Sequence, residues 1–323
     1  MDKSKKRILV AGGAGFIGSH LCKNLLKQNY KVICIDNFLT SDKKNIESLL
    51  ENANFKLVEH DITKSFDGID FEELNFIFHL ASPASPNHHS LISYHALPLE
   101  TMFANTIGTL ELLKLAKKHN AKFLFTSTSE VYGDPIEHPQ SEEYRGNVST
   151  TGPRSVYDES KRFGETLVSY FIREKNLDGR IARVFNTYGP GMLKKDKRMI
   201  IEFITQALEN KPITIFGDGN QTRSLCYIDD LVNGLTLLMF TENTMGEVVN
   251  LGSEDEHSVL GYANLVKKLS GSKSNLEFSE SLPVDDPHKR KPDISKAKSL
   301  LNWFPKVEIE EGLLKTIEYF KNL

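Results

Sequence analysis

The fold of this chain is decided by Arg7-Ile-Leu-Val-Ala-Gly-Gly-Ala-Gly-Phe-Ile-Gly18 and the following Lys31-Val-Ile-Cys-Ile-Asp36. An apolar strand runs into three spaced glycines, and an amphipathic helix then leads to a second strand that ends in an acid. Gly12 allows the sharp turn out of the strand, Gly15 lets backbone N–H groups approach a pyrophosphate, and Gly18 lets the helix pack closely on the sheet. The pattern predicts a dinucleotide-binding βαβ unit.

The acid that ends the second strand, Asp36, indicates which dinucleotide this unit takes. Its carboxylate stands where it would bind both ribose hydroxyls and repel the 2′-phosphate of NADP, so we expect NAD as the cofactor. Asp61 follows the third predicted strand and is placed to approach the adenine edge. The further residues expected to contact NAD are Phe16, Ile17, Asn37, Ile62, Leu80 and Ala81.

Composition excludes several classes of protein. The formal net charge is −3, and no long basic tract is interleaved with aromatic residues, so we expect no nucleic-acid partner. No apolar run approaches the roughly 20 residues of a bilayer span, and the first apolar stretch already contains the glycines, so we expect no membrane segment and no signal peptide. Three cysteines without metal-site spacing (Cys22, Cys34 and Cys226) are expected to be free thiols. We therefore expect a cytoplasmic protein.

The order of strand-like and helix-like segments predicts an α/β fold of two lobes. Alternation over residues 1–185 predicts a Rossmann-type, doubly wound parallel sheet that binds NAD. After Asn186 turn signals become dense, and residues 186–323 are expected to form a smaller C-terminal α/β lobe that binds substrate. The segment 229–251, a helix and a strand, is expected to return to the first lobe. A ligand should lie between the lobes, beyond the carboxyl ends of the strands.

A second motif, Tyr157-x-x-x-Lys161, places a phenol and an ammonium on one face of a helix. A lysine near a phenol favours the phenolate, which accepts a proton from a sugar hydroxyl. About thirty residues before Tyr157, the residues Thr128, Ser129 and Glu130 follow a predicted strand. They are therefore expected in the cleft beside the nicotinamide.

Several longer runs carry a resemblance to a known family: His79-Leu-Ala-Ser-Pro-Ala-Ser-Pro86, Thr126-Ser-Thr-Ser-Glu-Val-Tyr-Gly-Asp-Pro135, Gly152-Pro-Arg-Ser-Val-Tyr-Asp-Glu-Ser-Lys-Arg162, Phe185-Asn-Thr-Tyr-Gly-Pro190, Tyr227-Ile-Asp-Asp-Leu231 and Asp285-Asp-Pro-His-Lys-Arg-Lys-Pro-Asp-Ile294. With the glycine and Tyr/Lys motifs, they resemble the extended short-chain dehydrogenase/reductases that modify nucleotide sugars. The resemblance covers nearly the whole chain and is sharpest to UDP-glucuronate decarboxylases. Sugar 4,6-dehydratases carry an aspartate where this chain has Ser129, so simple water elimination is disfavoured.

The resemblance implies a redox-neutral reaction on a UDP-sugar with tightly bound NAD. Oxidation at C4 makes the C5 carboxylate a β-keto acid, carbon dioxide leaves, and C5 is protonated before C4 is reduced again. The residues that the resemblance assigns to this chemistry are Tyr157 as base, Lys161 as its electrostatic partner, Thr128 to orient the hydroxyl, Ser129 and Glu130 for decarboxylation, and Arg290 for proton transfer at C5.

The resemblance also implies substrate contacts and an assembly. Ser82, Asn186, Arg223 and Arg290 match substrate-binding positions, and Asn186 and Arg223 match those that hold the diphosphate. A homodimer is implied through a four-helix interface formed by residues 106–118 and the helix that carries Tyr157.

Two departures from the family pattern leave the sugar open. The segment Asn87-His-His-Ser-Leu-Ile-Ser-Tyr-His-Ala-Leu-Pro-Leu-Glu100 is longer than its counterpart, and Gly189-Pro-Gly-Met192 lacks an arginine of the family. Alternatives are therefore UDP-N-acetylglucosaminuronate, or a UDP-N-acetylhexosamine derivative whose 5,6-alkene is reduced after C4 oxidation. A catalytically silent NAD-binding regulator is the remote alternative. The loop histidines (His88, His89 and His95) are expected to be ordinary polar residues, and no metal site is expected.

Overall fold

The structure of the protein is a computed structural model that describes residues 3–323, apart from the side chains of residues 279 and 280. In chain order its strands and main helices are β1 (Arg7–Ala11), α1 (Phe16–Lys27), β2 (Lys31–Asp36), β3 (Phe55–Glu59), β4 (Phe76–His79), α2 (Pro98–Phe103), α3 (Thr109–His119), β5 (Lys122–Thr128), α4 (Ser155–Lys175), β6 (Gly179–Val184), β7 (Thr187–Tyr188), α5 (Met199–Leu208), β8 (Ile213–Phe216), β9 (Thr222–Ser224), β10 (Cys226–Tyr227), α6 (Ile228–Phe240), β11 (Val248–Leu251), β12 (Glu256–Ser258), α7 (Val259–Ser270), β13 (Leu276–Glu280), β14 (Lys289–Arg290), α8 (Ser295–Leu301) and α9 (Ile309–Lys321).

A seven-stranded sheet in the order β11-β6-β5-β4-β1-β2-β3 forms the main body, and every pair of neighbours in it is parallel. Both faces are covered, because alternate residues of β1 enter two apolar cores. Ile8 packs in the core that contains Leu21 of α1, whereas Leu9 packs in the core that contains Leu112 of α3. Burial on both faces explains why these strands are almost continuously apolar. The predicted Rossmann-type sheet is confirmed.

The residues after Asn186 build a smaller lobe from short sheets and helices. Its sheets pair β8 with β13, β9 with β12 and β14, and β7 with β10, and α5 packs against α7 and α9. The chain then returns to the main body, where α6 packs on α1 and β11 pairs with β6 at the edge of the large sheet. None of the helices in residues 3–323 is long and apolar enough to cross a membrane.

The helix predicted around residues 106–118 begins earlier, at Pro98, and contains a wide turn. A π-helical segment at Ala104–Gly108 separates α2 from α3. The turn carries Asn105, whose side-chain amide donates a hydrogen bond of 3.0 Å to Ser160 Oγ of α4. Such π turns recur at functional sites, and this one ties the helix to the segment that carries Tyr157.

Candidate active site

The glycine turn after β1 forms a cradle that side chains would fill. Gly12 has φ of +79°, and a Cβ there would lie 2.7 Å from the backbone N of Ala81. A Cβ at Gly18 would lie 2.1 Å from the carbonyl oxygen of Gly12. Only glycine allows the first turn of α1 to approach the strand ends this closely. The N-terminus of α1 can therefore face a pyrophosphate at close range, with no side chain from these glycines between them.

Asp36 is buried at the end of β2 and is held by three donors. Its carboxylate accepts hydrogen bonds from the backbone N–H of Ala14 and of Phe38 (2.9 Å each) and from Ser41 Oγ (2.7 Å). A carboxylate has about four acceptor positions, so Asp36 keeps about one for a ribose hydroxyl.

Beside this carboxylate lies a cavity of about 320 Å³, the first of three. Many of the predicted NAD contacts line it: Gly12, Gly15, Asp36, Asn37, Asp61, Ile62, Leu80 and Ala81, together with the predicted substrate contact Ser82. Its glycine cradle and the buried carboxylate of Asp36 fit NAD.

The second cavity, of about 200 Å³, continues from the same glycines. It brings together residues that lie far apart in the sequence, from α1, β5, α4 and the segment after β6. The predicted site residues that line it are Gly12, Gly15, Phe16, Ile17, Gly18, Leu80, Ser82, Thr128, Ser129, Glu130, Tyr157, Lys161 and Asn186. The cavity therefore joins the cofactor cradle to the predicted catalytic side chains.

Tyr157 and Lys161 lie one turn apart near the start of α4, and both are buried. Burial raises the pKa of Tyr157 to about 12, although a hydrogen bond with Thr128 opposes this. Burial lowers the pKa of Lys161 to about 7, and its Nζ donates a 2.8 Å hydrogen bond to the carbonyl of Thr126. Lys161 Nζ lies 5.9 Å from the centre of the Tyr157 ring. Without a ligand the phenol is therefore neutral, and it needs an added positive charge to become a base.

Glu130 is the centre of a buried ionic cluster. Arg290 Nη1 donates 2.8 Å and 2.9 Å hydrogen bonds to Glu130 and to Ser129 Oγ, and Arg154 forms a short ion pair with the other carboxylate oxygen of Glu130. Burial alone would raise the pKa of Glu130, but the charges of Arg290 and Arg154 lower it to about 2. Glu130 is therefore a carboxylate at neutral pH.

Arg290 lies behind Glu130, and it does not line the second cavity. Its side chain is 1% exposed, and it also donates to the carbonyl of Gly133 (2.9 Å). It therefore acts on the cavity through Ser129 and Glu130.

Arg154, by contrast, lines the cavity, although no motif in the sequence predicts a role for it. The available signal is its spacing, because Arg154 precedes Tyr157 by three residues and so shares its end of α4.

A third cavity, of about 290 Å³, opens towards the smaller lobe and is lined by Asn186, Arg154 and Arg223. Arg223 forms a 2.8 Å ion pair with Asp286, which also binds Arg154 at 3.0 Å. The two predicted diphosphate residues, Asn186 and Arg223, thus line the same cavity.

The long loop before α2 packs against the site. Tyr94 is 1% exposed and lines the second cavity, and the rings of His88 and His95 stack at 4.0 Å. No group of three or more His, Cys, Asp or Glu side chains within residues 3–323 is arranged to hold a metal ion.

Comparison with known proteins extends this picture. The model of the NAD dependent epimerase/dehydratase family matches residues 8–252. The UDP-glucuronic acid decarboxylase 1 of Xenopus tropicalis is 48% identical over 99% of this chain and 73% of its own length. The UDP-glucuronic acid decarboxylase 1 of Arabidopsis thaliana is 47% identical over 100% of this chain and 71% of its own length. A solved mutant of the UDP-glucuronic acid 4-epimerase of Bacillus cereus, in complex with UDP-4-deoxy-4-fluoro-glucuronic acid and NAD, is 34% identical with a TM-score of 0.87 and covers 98% of this chain and 99% of its own.

Proposed function

The chain belongs to the NAD-dependent epimerase/dehydratase family, and we propose that it is an enzyme of that family that decarboxylates UDP-glucuronate. The observation that carries this proposal is that Ser129 and Glu130, both held by Arg290, line the same cavity as Tyr157. Relatives that are 45–48% identical over nearly the whole chain are UDP-glucuronic acid decarboxylases, which supports the same reaction.

In this proposal Gly12, Gly15 and Asp36 hold NAD across the glycine cradle. When bound, NAD supplies a reversible hydride acceptor for C4 and a positive charge near Tyr157. Tyr157 then accepts the proton of the C4 hydroxyl, and its phenol oxygen is held by the hydrogen bond with Thr128. Lys161 contributes a further positive charge on the same helix face.

The ketone at C4 allows the C5 carboxylate to leave as carbon dioxide, and its bonding electrons pass to an enolate at C4. Glu130 is ionised, so it does not donate a proton in this step; its charge repels the substrate carboxylate and favours departure. Ser129 accepts a hydrogen bond from Arg290, so its own hydroxyl hydrogen is available to the enolate or to the water that protonates C5. Arg290 supports that proton transfer by holding both side chains in place.

At the other end of the substrate, Arg223 and Asn186 would bind the diphosphate. A guanidinium suits this task because it binds phosphate oxygens through two parallel N–H donors. In the structure Arg223 Nη2 donates to Asp286 and Nη1 donates to the carbonyl of Thr222, so the diphosphate would have to replace these partners.

Incubation of the protein with NAD and UDP-glucuronate, followed by mass spectrometry, tests the proposal. We expect a UDP-pentose, which is lighter than the substrate by carbon dioxide. Glu130→Gln should abolish this product, whereas Glu51→Gln, at an exposed position, should not.

Other products would overturn the assignment in distinguishable ways. A product of unchanged mass would indicate an epimerase, and steady accumulation of NADH would indicate a net oxidoreductase. No product from protein that binds NAD and UDP would favour an N-acetylated UDP-sugar. Activity that is untouched in Tyr157→Phe would favour the silent-regulator alternative.

We further propose a homodimer through the helices beside the site. Large apolar side chains are exposed on α2, on the π turn and on the neighbouring α4: Leu99 (55%), Phe103 (44%), Ile107 (42%), Phe163 (51%) and Tyr170 (41%). A second copy that brings the same helices would cover them in a four-helix interface. Phe163→Glu should convert a dimer to a monomer in light scattering, whereas Leu314→Glu, on α9, should not. A wild-type monomer would contradict this proposal.

A cytoplasmic location belongs to the same proposal. Cys22, Cys34 and Cys226 are buried and free, as is usual in reducing compartments. Fractionation of the native source tests it, and recovery of the protein outside the cytoplasm would contradict it.

A further inference from the structure

The long loop before α2, which is the clearest departure of this chain from its family pattern, is anchored to the smaller lobe. Three of its side chains donate hydrogen bonds of 2.6–2.7 Å to backbone carbonyls of residues 195–197, namely Ser85, Asn87 and Ser90. Within the loop, the backbone N–H of Tyr94 donates to the carbonyl of Ser85 (3.1 Å). The position of Tyr94 is therefore held from both lobes.

The anchored loop places the aromatic ring of Tyr94 against the ring of Tyr157. The rings of Tyr94 and Tyr157 stack with centroids 5.0 Å apart and planes inclined by only 8°. Tyr94 is 1% exposed and Tyr157 is 6% exposed, so the stack is closed to solvent. The guanidinium of Arg154 lies 5.9 Å from the Tyr94 ring centre. One face of the Tyr157 ring is thus covered by a side chain that the extra loop supplies.

We propose that Tyr94 is a positioning residue, whose ring holds the Tyr157 ring in the orientation that proton transfer requires. This inference rests on the proposed function, in which Tyr157 is the base. A base must lie within about 3.2 Å of the proton that it takes, and a displacement of about 1 Å can lower a rate about a hundredfold. Rotation about the Cα–Cβ bond of Tyr157 would swing the ring and move its hydroxyl oxygen, and the stacked ring of Tyr94 opposes that movement.

The ring of Tyr94, rather than its hydroxyl, carries this role. The hydroxyl is buried and has no hydrogen-bond partner among the residues that the structure describes. Removing it should therefore leave the stack intact, whereas removing the ring should not. This difference makes Tyr94→Phe a matched control for Tyr94→Leu, which retains apolar bulk but has no flat face.

The first test is steady-state kinetics with UDP-glucuronate. Tyr94→Leu should lower kcat about a hundredfold and leave KM and the affinity for UDP nearly unchanged. Tyr94→Phe should keep kcat within about threefold of wild type. Leu91→Ala, in the same loop at a position that is 85% exposed, should behave as wild type. Equal losses in the Phe and Leu variants, or a loss confined to KM, would overturn the proposal.

The second test does not depend on activity. With 3-fluorotyrosine incorporated at position 157, ¹⁹F exchange spectroscopy measures how fast the ring flips about its Cβ–Cγ bond, and this rate reports how tightly Tyr94 packs against the ring. We expect slow turning in the parent protein and in Tyr94→Phe, and turning at least about tenfold faster in Tyr94→Leu. If the ring-flip rate at position 157 is unchanged in Tyr94→Leu, the proposal that Tyr94 positions this ring is overturned. Because this measurement needs no substrate, it separates failure of this inference from failure of the proposed reaction.

Discussion

Replacing Glu130 by alanine should destabilise the protein strongly as well as inactivate it. The substitution would leave the guanidinium of Arg290, with its side chain 1% exposed, without a carboxylate partner, and Arg154, at 6%, would keep only Asp286. Removing one partner from a buried ion pair costs about 3–5 kcal/mol, because the remaining charge is uncompensated.

The pKa of Glu130 supports the same magnitude independently. The two arginines lower it from 4.5 to about 2, and a difference of this size corresponds to about 3 kcal/mol of stability at neutral pH. Because the pKa of the folded state is depressed, this contribution is complete above the unfolded value of 4.5 and disappears as the pH falls towards 2. The wild type should therefore lose more stability between pH 5 and pH 3 than the variant does.

Equilibrium urea denaturation without NAD or UDP measures this difference, since bound ligands would add stability of their own. We expect Glu130→Ala to lose about 3 kcal/mol at pH 7 and Glu130→Gln to lose less, because glutamine keeps part of the hydrogen bonding. Glu51→Ala, at an exposed position, serves as the control. A Glu130→Ala variant as stable as this control would show that the ion pairs of Glu130 do not stabilise the protein.

Three further predictions concern neighbouring residues. Gly18→Ala should weaken NAD binding more than about tenfold in calorimetry, because the added Cβ would lie 2.1 Å from the Gly12 carbonyl oxygen. Unchanged affinity would contradict the claim that the glycine turn binds NAD. Lys161→Met should be inactive but more stable at pH 7 in thermal melts. Burial lowers the pKa of Lys161 from 10.5 to about 7, so between these pH values the unfolded chain binds more protons than the folded protein. The folded wild type therefore loses stability as the pH falls through this range, and methionine removes that loss. Arg154→Lys should lower kcat/KM about tenfold, because lysine cannot bridge two carboxylates as the guanidinium does; wild-type kinetics would count against this.

Local patterns were enough to predict the main sheet and the cofactor cradle. The turn at Gly12, the start of α1 and the acid at Asp36 lie within one short stretch, and their geometry follows from backbone freedom and strand and helix periodicity. The pairing of Tyr157 with Lys161 follows equally directly from the helix repeat. Such features depend on neighbours in the chain, so a single sequence reveals them.

The position of the ionic cluster around Glu130 depends on longer-range packing. Arg290 was assigned to the site only through a family resemblance, since 160 residues separate it from Glu130. The bridge from Arg154 to Asp286 spans 132 residues, and no periodicity in the sequence predicts it. These contacts form because β14 is paired with β9 in the smaller lobe, which carries the segment around Asp286 over the end of the large sheet.

The nucleotide-binding unit, the Tyr157/Lys161 pair and the polar strand end at Thr128 are therefore readable from the chain alone. The placement of Arg290 behind Glu130 and of the Tyr94 ring against Tyr157 is visible only in the folded molecule. The first group depends on repeats within one element. The second depends on how loops from two lobes meet, and their side-chain packing is set by the whole fold rather than by any local pattern.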